Sequence, residues 1–250
     1  MLNILLSGCS GQMGRVIAAL AAQREGMRIL AGIDVNAEAQ LGFTVFKSPA
    51  DFGGDADVII DFSHPNALAG LLEYAVSHGT PAVICTTGLA DSQISLVKRS
   101  AERIPVFFSA NMSLGVNLLK VLAQRAAQVL GQAFDVEIVE AHHNQKVDAP
   151  SGTALMLADA IHEVLPNTHY VYDRSQTREK RGKREIGVSA IRGGTIVGEH
   201  EVIFAGHSEV LRLSHSAQSK ELFAAGALNA AAFIADKPAG LYDMQSLIAF

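Results

Sequence analysis

The strongest constraint on how this chain folds is an alternation. Over the first 111 residues, short apolar runs at 2–7, 28–34, 57–62, 82–86 and 106–110 are separated by helical patterns at 13–23, 65–77 and 91–101. Several of these runs are apolar on both faces, as strands covered from both sides must be. A parallel sheet covered by helices on each side follows, so the first half reads as a doubly wound, Rossmann-like α/β unit. Pro65 stands at a favoured helix start. After residue 111 the rhythm changes to a helix at 114–130, a strand at 136–141 and a helix at 153–165. Three strand-like runs follow, at 186–192, 195–204 and 209–215, and then an alanine-rich helix at 220–235 ahead of Pro238. Strands in succession without helices between them predict a mixed or antiparallel sheet, hence a second, α+β domain.

Composition bounds the class of partner. Hydrophobic residues make up 49% of the 250 and charged residues 18%, which excludes intrinsic disorder. Twenty Lys and Arg stand against 25 Asp and Glu, a net charge of −5. Nucleic-acid binding needs a clustered positive excess, so no nucleic-acid partner is expected, and an anionic ligand must find a local positive site. Residues 174–184 hold six basic residues and one acidic one, Glu179, but no interleaved aromatic, which favours a solvated loop. The first apolar run lacks a basic flank and breaks at Gly8. Neither a signal peptide nor a membrane span is expected, and a cytoplasmic location is. Cys9 and Cys85 form no disulfide framework.

The first chemical motif is Gly8-Cys9-Ser10-Gly11-Gln12-Met13-Gly14, between the first strand and the first helix. Glycines there allow a tight turn and close approach of backbone N–H groups to a pyrophosphate at the helix's positive end. Asp34 follows Gly14 by 20 residues at the end of the second strand, where a carboxylate accepts from ribose hydroxyls. The rival is a plain glycine turn with an unrelated Asp. Cys85-Thr86-Thr87-Gly88 and Ser109-Ala110-Asn111-Met112 fall just beyond later strand ends, where an open α/β sheet binds its ligand.

The second motif is EAHHNQKVDAPSGTA, residues 140–154. His142 can act as a general acid, Lys146 supplies positive charge, and the first N–H groups of a helix opening at Ser151-Gly152-Thr153 can receive a carboxylate. A metal site using the histidines, with His200, His207 and His215, is the rival. It is disfavoured because adjacent strand residues point to opposite faces and Lys146 repels a cation. Lys146 also repels a protonated His142, so an acid such as Glu140 is expected to restore the balance. A nucleotide-sensing module without catalysis would need none of this constellation. A short-chain dehydrogenase is excluded by its missing pair, since no tyrosine precedes a lysine by four residues.

These residues resemble the dihydrodipicolinate reductase family, nearly end to end. GCSGQMGR, DFSHP at 61–65, CTTG, SANMSLGVN, the 140–154 signature, IRGGTIVGEH at 191–200, FAAGALNAAAFI at 223–234 and GLYDM at 240–244 carry the likeness. The resemblance implies NAD(P)H-dependent reduction of 4-hydroxy-tetrahydrodipicolinate, a small cyclic dicarboxylate, in the diaminopimelate route to lysine, without a metal. It implies His142 as proton donor with Lys146 assisting, and His143, Ser151, Gly152 and Thr153 on the substrate. The cofactor falls to Gly8, Cys9, Ser10, Gly11, Gln12, Met13, Asp34, Cys85, Thr86, Thr87, Ser109, Ala110, Asn111 and Met112. The implied domains are 1–112 with 221–250 for the dinucleotide, and 113–220 for substrate and assembly into a homotetramer. Where some relatives place a basic residue after the ribose acid, this chain has Val35, so NADH is expected to serve at least as well as NADPH. Other departures are Gln12 and Asn144, where many relatives have arginine, and Met112, where many have phenylalanine.

Overall fold

A computed structural model describes residues 1–37, 40–175 and 178–248. In chain order the elements are β1 (Leu2–Ser7), α1 (Gln12–Ala21), β2 (Met27–Ile33), β3 (Val45–Phe46), β4 (Val58–Asp61), α2 (Leu68–His78), β5 (Ala82–Ile84), α3 (Asp91–Ala101) and β6 (Pro105–Phe108). There follow α4 (Leu114–Leu130), β7 (Asp135–His142), α5 (Gly152–Val164), β8 (His169–Val171), β9 (Glu185–Arg192), β10 (Gly198–Ala205), β11 (Val210–Ala217), α6 (Glu221–Ile234), β12 (Gly240–Tyr242) and α7 (Met244–Ile248). The chain divides into two compact units, one of Met1–Leu114 with the chain from Lys220 onward, the other of Gly115–Ser219.

In the first unit the strands lie in the order β12-β6-β5-β4-β1-β2-β3, every pair parallel. Alternate residues of one strand feed opposite layers. Ile4, Leu6, Val58 and Ile60 pack with Ile17 of α1 and with Ala227, Leu228 and Ile234 of α6. Leu5 and Ile59 pack with Leu71, Leu72 and Ala75 of α2 and Val97 of α3. That two-sided burial explains the unbroken apolar runs, and truncating Ile60 to Ala should cost about 2–5 kcal/mol. Alanines along α6 let that helix approach the sheet closely, and it returns to this unit. Pro65 starts a 3₁₀ turn, Pro65–Ala67, and the α-helix begins only at Leu68.

The second unit has strand order β11-β10-β7-β9-β8. β7 and β8 run parallel to β9, while β10 is antiparallel to β7 and β11, so the sheet is mixed. β9 and β10, consecutive in sequence, are not neighbours, because β7 lies between them. One face, with Val136, Ile138, Ile186, Val188, Val202 and Phe204, is covered by α4 and α5 through Leu119, Ala123, Leu157 and Ile161. The other carries the exposed Val210, Arg212, Ser214 and Ser216 of β11 and the exposed Ser189 and Ile191 of β9. β10 starts at Gly198 rather than 195, since the glycine pair at 193–194 makes a turn. In the basic stretch, Arg181 is tied to Asp135 at 3.0 Å and Glu137 at 2.9 Å; residues 176 and 177 lie outside the described residues. Among the described residues no helix is long and apolar enough to cross a membrane.

Candidate active site

The strand order of the first sheet reverses between β1 and β4, and a crevice must open beyond the carboxyl ends of strands that diverge there. Gly8 turns the chain at that point with φ +77°, a left-handed conformation that suits glycine. A Cβ on Gly8 would collide with the carbonyl of Phe62, the residue just after β4, and one on Gly14 would strike the carbonyl of Gly8. No side chain caps α1, so its first N–H groups remain available for an anion. Asp34 fastens this turn: Oδ2 accepts from the N–H of Ser10 at 3.0 Å and Oδ1 from that of Asn36 at 3.0 Å.

Two compartments share Gly11, Phe62 and Ser63. One, of about 500 Å³, is lined by Gly8, Asp34, Val35, Lys47 and His64 among others. The second, of about 440 Å³, is lined by Gln12, Met13, Cys85, Thr86, Thr87, Ala110, Met112 and Phe223 among others. A glycine cradle with a ribose-reaching acid at one end and a mostly apolar chamber at the other fits an extended dinucleotide. Four expected cofactor residues line neither compartment. Cys9 is buried against Gly32, Ser10 gives its N–H to Asp34, and Ser109 and Asn111 bond each other within their turn. Thr86 reaches the chamber, but its hydroxyl donates to the buried Asp61 at 2.6 Å.

In the second unit the chemistry gathers at the end of β7. Glu140 and His142, two residues apart on one strand, share a face, and Glu140 has no exposed surface. Its Oε2 accepts from Nδ1 of His142 at 2.6 Å and from Nη1 of Arg192 at 2.8 Å. Its Oε1 accepts from Nη2 of Arg192 at 2.8 Å and from the N–H of Ser151 at 2.9 Å. Burial alone would raise this carboxyl's pKa; the bonds from Arg192, His142 and Ser151 outweigh it and hold the pKa below the ordinary range, so the group is an anion at neutral pH. A carboxylate can only accept, so Nδ1 of His142 carries the proton on that side and Nε2 is left for chemistry.

Ser151 caps α5, accepting from the N–H of Ala154 at 3.2 Å, and meets Nε2 of His200 at 3.0 Å. Its hydroxyl is thus committed inward, while Gly152, where a Cβ would meet open space, offers backbone to a ligand. The His200 ring lies edge to face with that of His142, 5.2 Å between centroids. Burial, reinforced by His142, pushes the His200 pKa down to about 4, so it stays neutral beside His142. Lys146 pairs with Asp148 at 2.8 Å, and Arg192 also donates to the Asp148 carbonyl at 2.6 Å, anchoring the loop that carries Lys146. His143 begins the turn to Lys146, whose N–H donates to its carbonyl. Gly198 faces His142 across β7 and β10; a Cβ there would lie 3.1 Å from Nε2. Sequence reasoning placed His200 only in the rival metal set and assigned no role to Gly198 or Asp61, although IRGGTIVGEH carries both Gly198 and His200. Among the described residues no three His, Cys, Asp or Glu side chains are grouped to hold a metal.

Comparison with known proteins bears on this arrangement. The family models for the N- and C-terminal parts of dihydrodipicolinate reductase match residues 2–112 and 115–248. The chain belongs to the dihydrodipicolinate reductase family. It is 49% identical over 249 residues to the 4-hydroxy-tetrahydrodipicolinate reductase of Caldanaerobacter subterraneus subsp. tengcongensis, covering 99% of this chain and 98% of that one. It is 45% identical to the Clostridium tetani reductase of the same name, covering 99% and 97%. Its fold matches a dipicolinate-bound dihydrodipicolinate reductase from Paenisporosarcina sp. TG-14 with TM-score 0.83 and 24% identity, over 99% of each chain. The chain is therefore a nicotinamide-dependent oxidoreductase of amino-acid biosynthesis, in the diaminopimelate and lysine route.

Proposed function

We propose that the chain reduces the dehydrated form of 4-hydroxy-tetrahydrodipicolinate to tetrahydrodipicolinate, with His142 as proton donor and Lys146 assisting. The observation that carries this reading is the His142 imidazole, fixed on Nδ1 by a buried carboxylate beside an anion-ready helix start. Reduced nicotinamide supplies the hydride. Held through Nδ1–H by the Glu140 carboxylate, a doubly protonated His142 would give the proton on Nε2 to one end of the reducible double bond as the other end takes hydride, so the product gains two hydrogens. Gly8, Gly11, Gln12, Met13 and the start of α1 hold the pyrophosphate, Asp34 the adenosine ribose, and the chamber of Cys85, Thr86, Thr87, Ala110 and Met112 the nicotinamide end. A flat dicarboxylate needs two anion sites. The N–H groups of Gly152 and Thr153 provide one, and Lys146, released from Asp148, provides the other with His143. Ser151 serves through its cap. Relatives of this name act on the hydroxylated compound, and the Paenisporosarcina protein binds dipicolinate, a planar mimic of such a substrate.

Asp34 and Val35 favour a free ribose 2′-hydroxyl, so NADH is used at least as well as NADPH. Assembly is a homotetramer through the open face of the five-stranded sheet, which would cover Ile191, Val210 and Arg212; sedimentation of the purified protein as a monomer would refute it. The test of function is to supply the condensation product of pyruvate and aspartate semialdehyde with NADH or NADPH and follow nicotinamide absorbance. Oxidation is expected with both, and none with either would refute the reading.

A further inference from the structure

We propose that Glu140 is a positioning residue that ties the proton donor to the anion-binding helix start through one buried carboxylate. Glu140 has no exposure, so it touches no ligand and can act only through its neighbours. A buried carboxylate persists when its lone pairs are used, and the fork of Arg192 alone supplies a two-point match. Yet each oxygen takes one further donor, from a different functional element. Oε2 takes the His142 imidazole of β7, and Oε1 takes the Ser151 N–H at the start of α5. The two oxygens belong to one rigid plane. Any rotation that loosened the imidazole would also pull the helix start, so general acid and carboxylate clamp hold their geometry together.

Arg192 completes the device from β9, where it is the register partner of His142. The second N–H of Nη1 donates to the carbonyl of Ile191 and that of Nη2 to the carbonyl of Asp148, which pins the carboxylate's counter-charge and the Lys146 loop to the same strand. His200, the register partner of Glu140 on β10, closes the other side by meeting both Ser151 and the His142 ring.

The inference rests on His142 as proton donor, and a double-mutant cycle on the intact chain tests both, with dipicolinate and NADH titrated by calorimetry. Glu140→Gln keeps the size of the side chain but loses its charge and one acceptor. It should lower kcat about 10²-fold and weaken dipicolinate about tenfold, while NADH affinity stays within about twofold. Because Glu140 acts through His142, adding Glu140→Gln to His142→Gln should slow the enzyme no further. Equal slowing in both backgrounds, or unchanged dipicolinate affinity in Glu140→Gln, overturns the proposal, since a merely structural role multiplies. If Glu140→Gln loses NADH binding through misfolding, Arg192→Lys replaces it in the cycle. It should slow wild type by about three- to tenfold and His142→Gln not at all, and equal slowing overturns the proposal. A His142→Gln variant as fast as wild type overturns the donor reading and the proposal with it, a result distinct from additivity.

Discussion

Replacing Gly198 by Ala separates activity from stability at a single methyl group. The new Cβ would lie 3.1 Å from Nε2 of His142 and 3.4 Å from Cδ2, so the ring must retreat by about 0.3–0.5 Å to reach ordinary van der Waals separation. It is held on the far side by a 2.6 Å bond to Glu140, which the retreat strains or tilts. A misplacement of about 1 Å at a reacting group costs roughly 10²-fold, so this fraction of it predicts a four- to tenfold loss of kcat, about 0.8–1.4 kcal/mol. Gly198 opens β10 without a positive φ, so alanine is allowed there and removes freedom from the unfolded chain, stabilising by up to about 0.5–1 kcal/mol. Steady-state kinetics and thermal melts on the same preparation decide the matter. The reasoning predicts lower kcat with an equal or higher Tm; unchanged kcat, or a loss that follows a falling Tm, refutes it.

Acid should erode stability through His200. Its folded pKa of about 4 lies below the ordinary 6.5, so the unfolded chain takes the proton first as pH falls. The contribution is whole above pH 6.5 and is lost progressively toward pH 4, about 3 kcal/mol in all. Melts across that window should show a steeper slope for wild type than for His200→Gln, and equal slopes contradict the assignment. Gly152→Val places a side chain in open space at the start of α5, so it should fold normally, bind NADH as wild type does and lose dipicolinate; retained dipicolinate affinity moves the clamp elsewhere. Thr153→Ala should weaken dipicolinate by about 0.5–1.5 kcal/mol, read from the same titration. With Asp34 at the ribose, kcat/KM for NADH should equal or exceed that for NADPH, although Lys47 lines the same compartment; a clear NADPH preference in paired assays contradicts this.

What could be read from sequence follows the range of the interactions. The glycine motif between β1 and α1 lies within seven contiguous residues, and the period of the apolar runs marks strands buried on both faces, so that half was legible. Strands β3, β8 and β12 were not, because two or three residues carry no period. Nor was the insertion of β7 between β9 and β10, since pairing is set by long-range packing that no local pattern encodes. The same limit hid the hub of the second unit. His142, Lys146 and the helix start lie close in sequence, but Arg192 meets Glu140 across 52 residues and His200 meets Ser151 across 49. Ser151 illustrates the difference between being in a motif and facing a ligand: the cap and the partner on β10 turn its hydroxyl inward.

The central claim is that His142 gives the proton that accompanies hydride transfer. Single-turnover oxidation of bound NADH, with the condensation product saturating, measures that step in wild type and His142→Gln without interference from product release. The account predicts a rate lower by about 10²–10⁴-fold in the variant, about 3–5 kcal/mol of lost transition-state stabilisation, with NADH and dipicolinate affinities changed little. A variant that turns over at nearly the wild-type rate would contradict it.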